Sequence, residues 1–174
     1  MSKIKVLIVE DDPMVADINK RFTEAVPGFS VLGIATNGSH ALTMLEELRP
    51  DLIILDVYMP EIDGAEVLSM LRKQEIPVDI ILVTAANDSE IISRMMRYGV
   101  IDYIIKPFKF ERYRSTLENY RDFKNKLLQS DSFTQAELDA IFLNKAVKDD
   151  KKMPKNLHVQ TLTSIVELLS KKEV

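Results

Sequence analysis

Short apolar runs alternate along the chain with longer segments in which apolar residues recur at helical spacing. The short runs predict buried β-strands, and the longer segments predict helices with one apolar face. The predicted strands are Ile4–Val9, Ser30–Ala35, Leu52–Leu55, Ile80–Val83 and Asp102–Ile105. The predicted helices are Met14–Ala25, Ser39–Leu48, Ala65–Lys73, Ser89–Arg97 and Phe110–Leu128.

This alternation predicts an α/β fold with a five-stranded parallel sheet. The pattern changes near Ser130, where a polar break precedes a new helical stretch and no further strand-like run follows. We therefore predict two parts, an α/β domain over residues 1–129 and a short helical extension over residues 130–174. At the start of the extension, Thr134 and Glu137 have the spacing of a capping box.

Acidic residues directly follow two of the predicted strands. Asp56 comes after the third strand, and Glu10, Asp11 and Asp12 come after the first. Parallel strands bring their carboxyl ends to one edge of a sheet, where open α/β folds bind their ligands. We therefore expect Asp11, Asp12 and Asp56 to lie together at this edge.

Three carboxylates at one edge repel one another, so they stay together only if a cation neutralises them or one is protonated. Oxygen ligands without Cys or His favour Mg2+, Mn2+ or Ca2+ over zinc, and a site with few carboxylates suits Mg2+ best. Asp11 and Asp12 have a second explanation, because Asp is a favoured N-cap and Pro13 fits the first turn of a helix. The two explanations are compatible.

Two further residues belong to the same edge, Thr84 after the fourth strand and Lys106 after the fifth. A hydroxyl and an ammonium group are what a phosphoryl group on Asp56 would need around its oxygens. A carboxylate can accept a phosphoryl group with help from a metal ion. Taken alone, Thr84 would be a cap at a strand end and Lys106 a surface lysine, and their joint position favours the chemical role.

Composition and charge exclude several other classes of protein. The chain has 174 residues, 46% of them hydrophobic, which suits one packed domain with an extension. It has no cysteine, so disulfides and thiolate metal sites are excluded, and its net charge of -4 gives no overall basic surface for nucleic acid. No stretch approaches the roughly 20 apolar residues of a membrane span and no signal peptide is evident, so we predict a cytoplasmic protein without a membrane partner.

Over residues 3–128 these features resemble the receiver domains of two-component response regulators. The matching motifs are Glu10-Asp11-Asp12-Pro13, Asp56 with Met59-Pro60 and Asp63-Gly64, Thr84-Ala85, and Lys106-Pro107-Phe108. The resemblance implies a doubly wound, flavodoxin-like fold and a sensor histidine kinase as the partner that phosphorylates Asp56. It also implies that the chain is no enzyme beyond its own phosphorylation and dephosphorylation, and it leaves open a homodimer that forms on phosphorylation.

The resemblance implies four protein ligands or near-ligands for Mg2+. Asp12 and Asp56 would bind the ion directly, and Asp11 would act mainly through metal-bound water. The backbone carbonyl of Tyr58 would be the third direct ligand.

The resemblance also implies how the chain would respond. Thr84 and Lys106 would contact the phosphoryl group, and the Lys106–Pro107 peptide would be cis. Tyr103 would be the switch residue, whose ring turns inward as Thr84 moves; without the resemblance, it is a half-buried strand tyrosine. The phosphoryl group would then favour one of two existing conformations.

The extension resembles, less specifically, the linker and the opening of the output domain in citrate- and dicarboxylate-responsive regulators, which are transcription factors with a helix-turn-helix. The similarity rests on Phe133-Thr134-Gln135, Leu138-Asp139, Met153-Pro154-Lys155-Asn156-Leu157 and Thr161-Leu162. The chain stops before a recognition helix, which DNA reading requires. We therefore expect a truncated regulator of citrate or dicarboxylate metabolism, of which only the full-length protein would bind promoter DNA.

Two alternatives remain at this point. The first is a stand-alone module that binds a protein partner when phosphorylated, through the apolar residues of its extension. The second is a phosphatase of the haloacid dehalogenase type, which also forms an aspartyl phosphate. That class needs Asp two residues after its nucleophile, and this chain has Tyr58 there.

Overall fold

A computed structural model describes residues 2–130 and 132–139. Five parallel strands form one sheet, as predicted, and their order is β2-β1-β3-β4-β5. The strands are β1 (Ile4–Val9), β2 (Phe29–Ala35), β3 (Leu52–Leu55), β4 (Asp79–Thr84) and β5 (Asp102–Ile105). The helices are α1 (Pro13–Ala25), α2 (Gly38–Leu48), α3 (Gly64–Lys73), α4 (Ser89–Arg97) and α5 (Phe110–Gln129).

The sheet is covered on both faces, which confirms the doubly wound arrangement. Successive strand residues enter different cores: Ile53 and Leu55 join a cluster with α2, α3 and α4, whereas Leu52 and Ile54 join one with α1 and α5. This division follows from the period of two in a strand, and it explains why the central strands are apolar at every position. The strand order reverses between β1 and β3, so a ligand site is expected at their carboxyl ends.

Helix starts were predictable because the capping residues are local. Asp12, Asn37, Asp63 and Asp88 each accept backbone N–H bonds in the first turn of α1, α2, α3 and α4. The observed and predicted bounds of every helix and strand agree to within one residue at each end. Asp63 also forms a complete capping box with Glu66.

Internal contacts divide the chain into two compact units, residues 1–125 and 126–174. The predicted boundary after residue 129 stays a prediction, because α5 continues to Gln129. In the second unit a helical segment begins at Gln135, and Thr134 and Glu137 form the predicted capping box. The motifs predicted beyond residue 139 lie outside the described residues. Within the described ranges, no helix has the length and apolar character that crossing a membrane requires.

Candidate phosphoacceptor site

Asp56 lies at the carboxyl edge of the sheet because it directly follows β3. Its N–H donates to the carbonyl oxygen of Val9 at 3.0 Å, which continues the pairing of β3 with β1 for one residue. The residue is 6% exposed, and its Oδ1 accepts a hydrogen bond from the N–H of Tyr58 at 3.1 Å. Its side chain is thus buried and oriented, yet it retains a route to solvent.

The loop after Asp56 is held by a close approach of backbones. Gly64 N–H donates to the Val57 carbonyl oxygen at 2.9 Å. A Cβ at position 64 would lie 2.8 Å from the Val57 Cα and closer still to the Asp56 carbonyl oxygen, so this position requires glycine. Tyr58, 51% exposed, stands at the mouth of the site, and the role of its carbonyl oxygen stays a prediction.

Glu10, Asp11 and Asp56 form an acidic group. One carboxylate oxygen from each lies within 4.8 Å of the others. The register explains the closeness, because Val9 pairs with Leu55 and the next residue on each strand is acidic. Glu10 is 1% exposed, and its N–H donates to the Ala35 carbonyl oxygen at 2.9 Å, so it extends β1.

This group differs from the predicted one, which had Asp12 in place of Glu10. Asp12 is exposed, and its Oδ1 accepts from the N–H groups of Met14 at 2.8 Å and Val15 at 3.2 Å. The backbone has already turned into α1 at this residue, so its carboxylate faces the helix rather than Asp56. The prediction of Asp12 among the grouped carboxylates was therefore wrong, and the capping explanation is confirmed for it.

Sequence reasoning missed Glu10, although a signal was present. Glu10 directly follows the last residue of β1, as Asp56 directly follows the last residue of β3. Residues one step past two paired parallel strands lie side by side. The same criterion that selected Asp56 would have selected Glu10.

Lys106 joins the acidic group from β5. Its Nζ donates to Asp56 Oδ2 and to Glu10 Oε2, both at 2.7 Å, and its side chain is 19% exposed. Burial lowers the pKa of Lys106, but the hydrogen bonds to Asp56 and Glu10 outweigh it, so the pKa lies above its ordinary value. Lys106 is therefore a permanent cation. The predicted cis peptide at Lys106–Pro107 is confirmed.

The acidic group carries more negative charge than Lys106 can balance. Burial raises the pKa of Glu10 to about 7; the hydrogen bond from Lys106 opposes this shift, and the charge of Asp56 adds to it. A divalent cation fits such a set, because three carboxylates within 4.8 Å offer oxygen ligands that Mg2+ prefers. Glu10, Asp11 and Asp56 are the residues that would hold it.

Thr84 and Tyr103 both lie on the side of the site next to α4. Thr84 is 2% exposed; its carbonyl oxygen accepts from Lys106 N–H at 2.9 Å, and its Oγ1 accepts from Ala86 N–H at 3.1 Å. Tyr103 is partly buried, and both residues line an apolar cavity that Ile91 and Met95 of α4 complete. Tyr103 and Thr84 therefore line the same small cavity, while the role of Tyr103 as a switch stays a prediction.

Comparison with known proteins decides the family. The response regulator receiver domain family matches residues 6–118. This chain belongs to that family. It is a response regulator of a two-component system, as the motifs predicted.

Named relatives and solved structures agree with this assignment. The chain is 46% identical over 165 residues to the "Probable C4-dicarboxylate response regulator DctR" of Bacillus subtilis, covering 95% of this chain and 73% of that protein. It is 34% identical to the "Transcriptional regulatory protein DcuR" of Escherichia coli, covering 94% and 70%. The receiver domain of the Francisella response regulator 1452 is 30% identical with a TM-score of 0.62, covering 70% of this chain and 99% of that one.

Proposed function

We propose that this response regulator accepts a phosphoryl group on Asp56 from a sensor histidine kinase. One observation carries the proposal: Lys106 Nζ lies 2.7 Å from Asp56 Oδ2 and from Glu10 Oε2, both of them buried, and the exposed Asp11 completes the acidic group. A structural ion pair needs only one carboxylate for one lysine. The excess of carboxylates supports a functional site that binds a cation and accepts a phosphoryl group.

In the proposed transfer, an Asp56 oxygen forms a bond to phosphorus as the bond from phosphorus to the kinase histidine nitrogen breaks. The histidine leaves with the electron pair of that bond. Lys106 balances charge on the phosphoryl oxygens, and Thr84 donates its hydroxyl to one of them after leaving the Ala86 N–H. Mg2+, when bound to Glu10, Asp11, Asp56 and the Tyr58 carbonyl, would supply neutralisation of the carboxylates and of the phosphoryl oxygens.

The output that we propose is regulation of transcription. The supporting observation is that relatives similar over nearly the whole chain carry the names response regulator and transcriptional regulatory protein. These names do not favour the stand-alone binding module. The only reactions that we assign to the chain are its own phosphorylation and dephosphorylation. The proposed partners of its output are promoter DNA and a second copy of the chain, in a homodimer that forms on phosphorylation.

We propose further that the stimulus is a C4-dicarboxylate. This proposal is narrower than the sequence-based prediction, which included both citrate and dicarboxylates. The support is the name of the Bacillus subtilis relative at 46% identity. The stimulus acts on the kinase, so the measurement is phosphotransfer to this chain from a purified C4-dicarboxylate sensor kinase and from an unrelated histidine kinase. Faster transfer from the first is expected, and equal rates would contradict the proposed stimulus.

The central claim is tested by intact mass after incubation with acetyl phosphate and Mg2+. The wild type is expected to gain the mass of one phosphoryl group. Asp56→Asn, and the wild type with EDTA, are expected to show no gain, because one lacks the acceptor and the other the cation. A stable gain in Asp56→Asn would show that Asp56 is not the acceptor.

A further inference from the structure

The segment that carries Lys106 is fastened differently at its two ends. Before Lys106, β5 pairs with β4, and Lys106 N–H itself donates to the Thr84 carbonyl oxygen at 2.9 Å. After it, residues 107–109 lie outside any helix or strand until α5 begins at Phe110. A lysine ammonium sits on a flexible four-carbon stem, so its position depends on how firmly this backbone is held.

Four aromatic rings hold the far end of that segment, and we call them the aromatic cluster: Phe22, Phe108, Phe110 and Tyr113. Phe22 lies at its centre, with ring centroids 4.9 Å from Phe110, 5.6 Å from Tyr113 and 6.2 Å from Phe108, all edge-to-face. Phe108 stacks on Tyr113 at 5.6 Å. These are favourable geometries for aromatic pairs, and Phe108 is only two residues from Lys106.

The aromatic cluster is itself fixed to α1 by buried hydrogen bonds. Tyr113 OH lies 2.8 Å from Thr23 Oγ1 and donates to the Asn19 carbonyl oxygen at 3.2 Å. Tyr113 and Thr23 are fully buried, so these bonds are protected from water. The same α1 helix starts at the cap Asp12, next to Asp11 of the acidic group. One rigid helix thus borders both the acidic group and the Lys106 segment.

We propose that Phe22 is a positioning residue for Lys106. Its ring holds Phe108 and Phe110, and through them the backbone on which Lys106 reaches Asp56 and Glu10. The inference rests on the proposed function of Asp56, since it concerns the cation that would meet the phosphoryl group. Phe22 is remote from the reacting atoms in sequence and acts only through Lys106.

The test compares Phe22→Leu with Phe29→Leu in the 174-residue chain. Phe29 belongs to the same apolar core as Phe22, and its ring centroid lies 6.5 Å from that of Tyr120. It is the first residue of β2, the outermost strand on the side of the sheet away from β5. With acetyl phosphate and saturating Mg2+, the rate constant for phosphoryl uptake is expected to fall about tenfold in Phe22→Leu, within the roughly hundredfold that a 1 Å misplacement can cost. Phe29→Leu is expected to keep the wild-type rate constant.

A double-mutant cycle separates positioning from general loosening. In a Lys106→Ala chain, which is expected to take up the phosphoryl group more slowly, Phe22→Leu should cause no further loss, because the group it positions is gone. The Mg2+ affinity of Phe22→Leu should match the wild type, since the acidic group is held by β1 and β3. Phe22→Met, whose flexible side chain adapts to irregular gaps in a core, serves in the same cycle if Phe22→Leu does not fold.

The outcomes distinguish this inference from the proposed function. Equal rate constants in Phe22→Leu and Phe29→Leu, or the same fold loss with and without Lys106, would overturn the positioning role while leaving Asp56 as acceptor. No phosphoryl uptake in the wild type would overturn the proposed function and this inference with it. If Phe22→Leu lowers the rate constant for phosphoryl uptake in the wild-type chain but not in the Lys106→Ala chain, the positioning role is established.

Discussion

At each of two edges of the sheet, one lysine pairs with two carboxylates, but the surroundings of the two lysines differ. At the carboxyl edge, Lys106 lies 2.7 Å from Glu10 and Asp56, whose side chains are 2% and 6% exposed. At the amino edge, Lys124 lies 3.9 Å from Asp51 and 3.5 Å from Asp79, whose side chains are 42% and 41% exposed.

Burial, rather than the kind of charge, makes the difference between the two edges. Water screens the amino edge, so its carboxylates need no further partner and its ion pairs are weak. At the carboxyl edge desolvation makes charge balance costly, and Asp11 adds a further carboxylate. An acidic cluster with two buried members and too little positive charge is typical of a functional site, whereas the amino edge serves to hold α5.

The strongest test of this contrast is removal of one carboxylate from each edge. Asp56→Asn is expected to abolish phosphoryl uptake, because an amide oxygen cannot form the acyl phosphate. Asp79→Asn, a matched change at the amino edge, is expected to leave uptake at the wild-type level. Intact mass after acetyl phosphate and Mg2+ measures both, and a loss of uptake in Asp79→Asn would remove the functional distinction between the edges.

The second prediction concerns which acidic residues belong to the buried edge. Glu10→Gln is expected to weaken Mg2+ binding by about 10-fold to 100-fold, because it removes one of three clustered carboxylates. Asp12→Asn should leave the affinity close to that of the wild type, because Asn also caps helices well and α1 is preserved.

Isothermal titration calorimetry with Mg2+ gives both dissociation constants. The opposite result, with weaker Mg2+ binding only in Asp12→Asn, would support Asp12 as the metal ligand and exclude Glu10.

This exchange of Glu10 for Asp12 shows what the sequence could predict. Apolar runs, helical spacing and capping residues are local, so every element of residues 2–130 was predicted to within one residue at each end. Asp56 and Lys106 were also predictable, since each directly follows a strand. The direction of a side chain in a turn is different, because it depends on where β1 stops pairing and α1 begins.

Contacts between distant segments had no local signal. Tyr120 OH donates to Asp79 Oδ2 at 2.8 Å across 41 residues, and the aromatic cluster joins Phe22 to residues more than 80 positions later. A tyrosine on a helix and an aspartate at a strand start are common in any sequence. Only the packing of α5 across the sheet brings such residues together.

The third prediction compares the two lysines. Lys106→Met should lower the free energy of unfolding in Mg2+-free buffer by about 3 kcal/mol, because it leaves buried carboxylates without their cation. Lys124→Met should lower it by only about 0.5 kcal/mol, as for other solvated ion pairs. Urea denaturation followed by circular dichroism measures both, and equal losses would show that burial does not distinguish the edges.

The last prediction concerns Tyr120→Phe at the amino edge. The change removes the hydroxyl that donates to Asp79 Oδ2 and accepts from Lys124 Nζ at 3.1 Å, but it keeps the buried ring. Asp79 and Lys124 can still reach water, so the loss in unfolding free energy should be about 1 kcal/mol, the net value of an ordinary hydrogen bond. Phosphoryl uptake should be unchanged, because the hydroxyl lies at the edge opposite Asp56.

Urea denaturation and the mass assay on the same Tyr120→Phe sample separate these two effects. A change in the uptake rate would mean that the contacts holding α5 at the amino edge also affect the position of Lys106 at the carboxyl edge. The two edges would then form one coupled system, joined through the helix that starts just after the Lys106 segment.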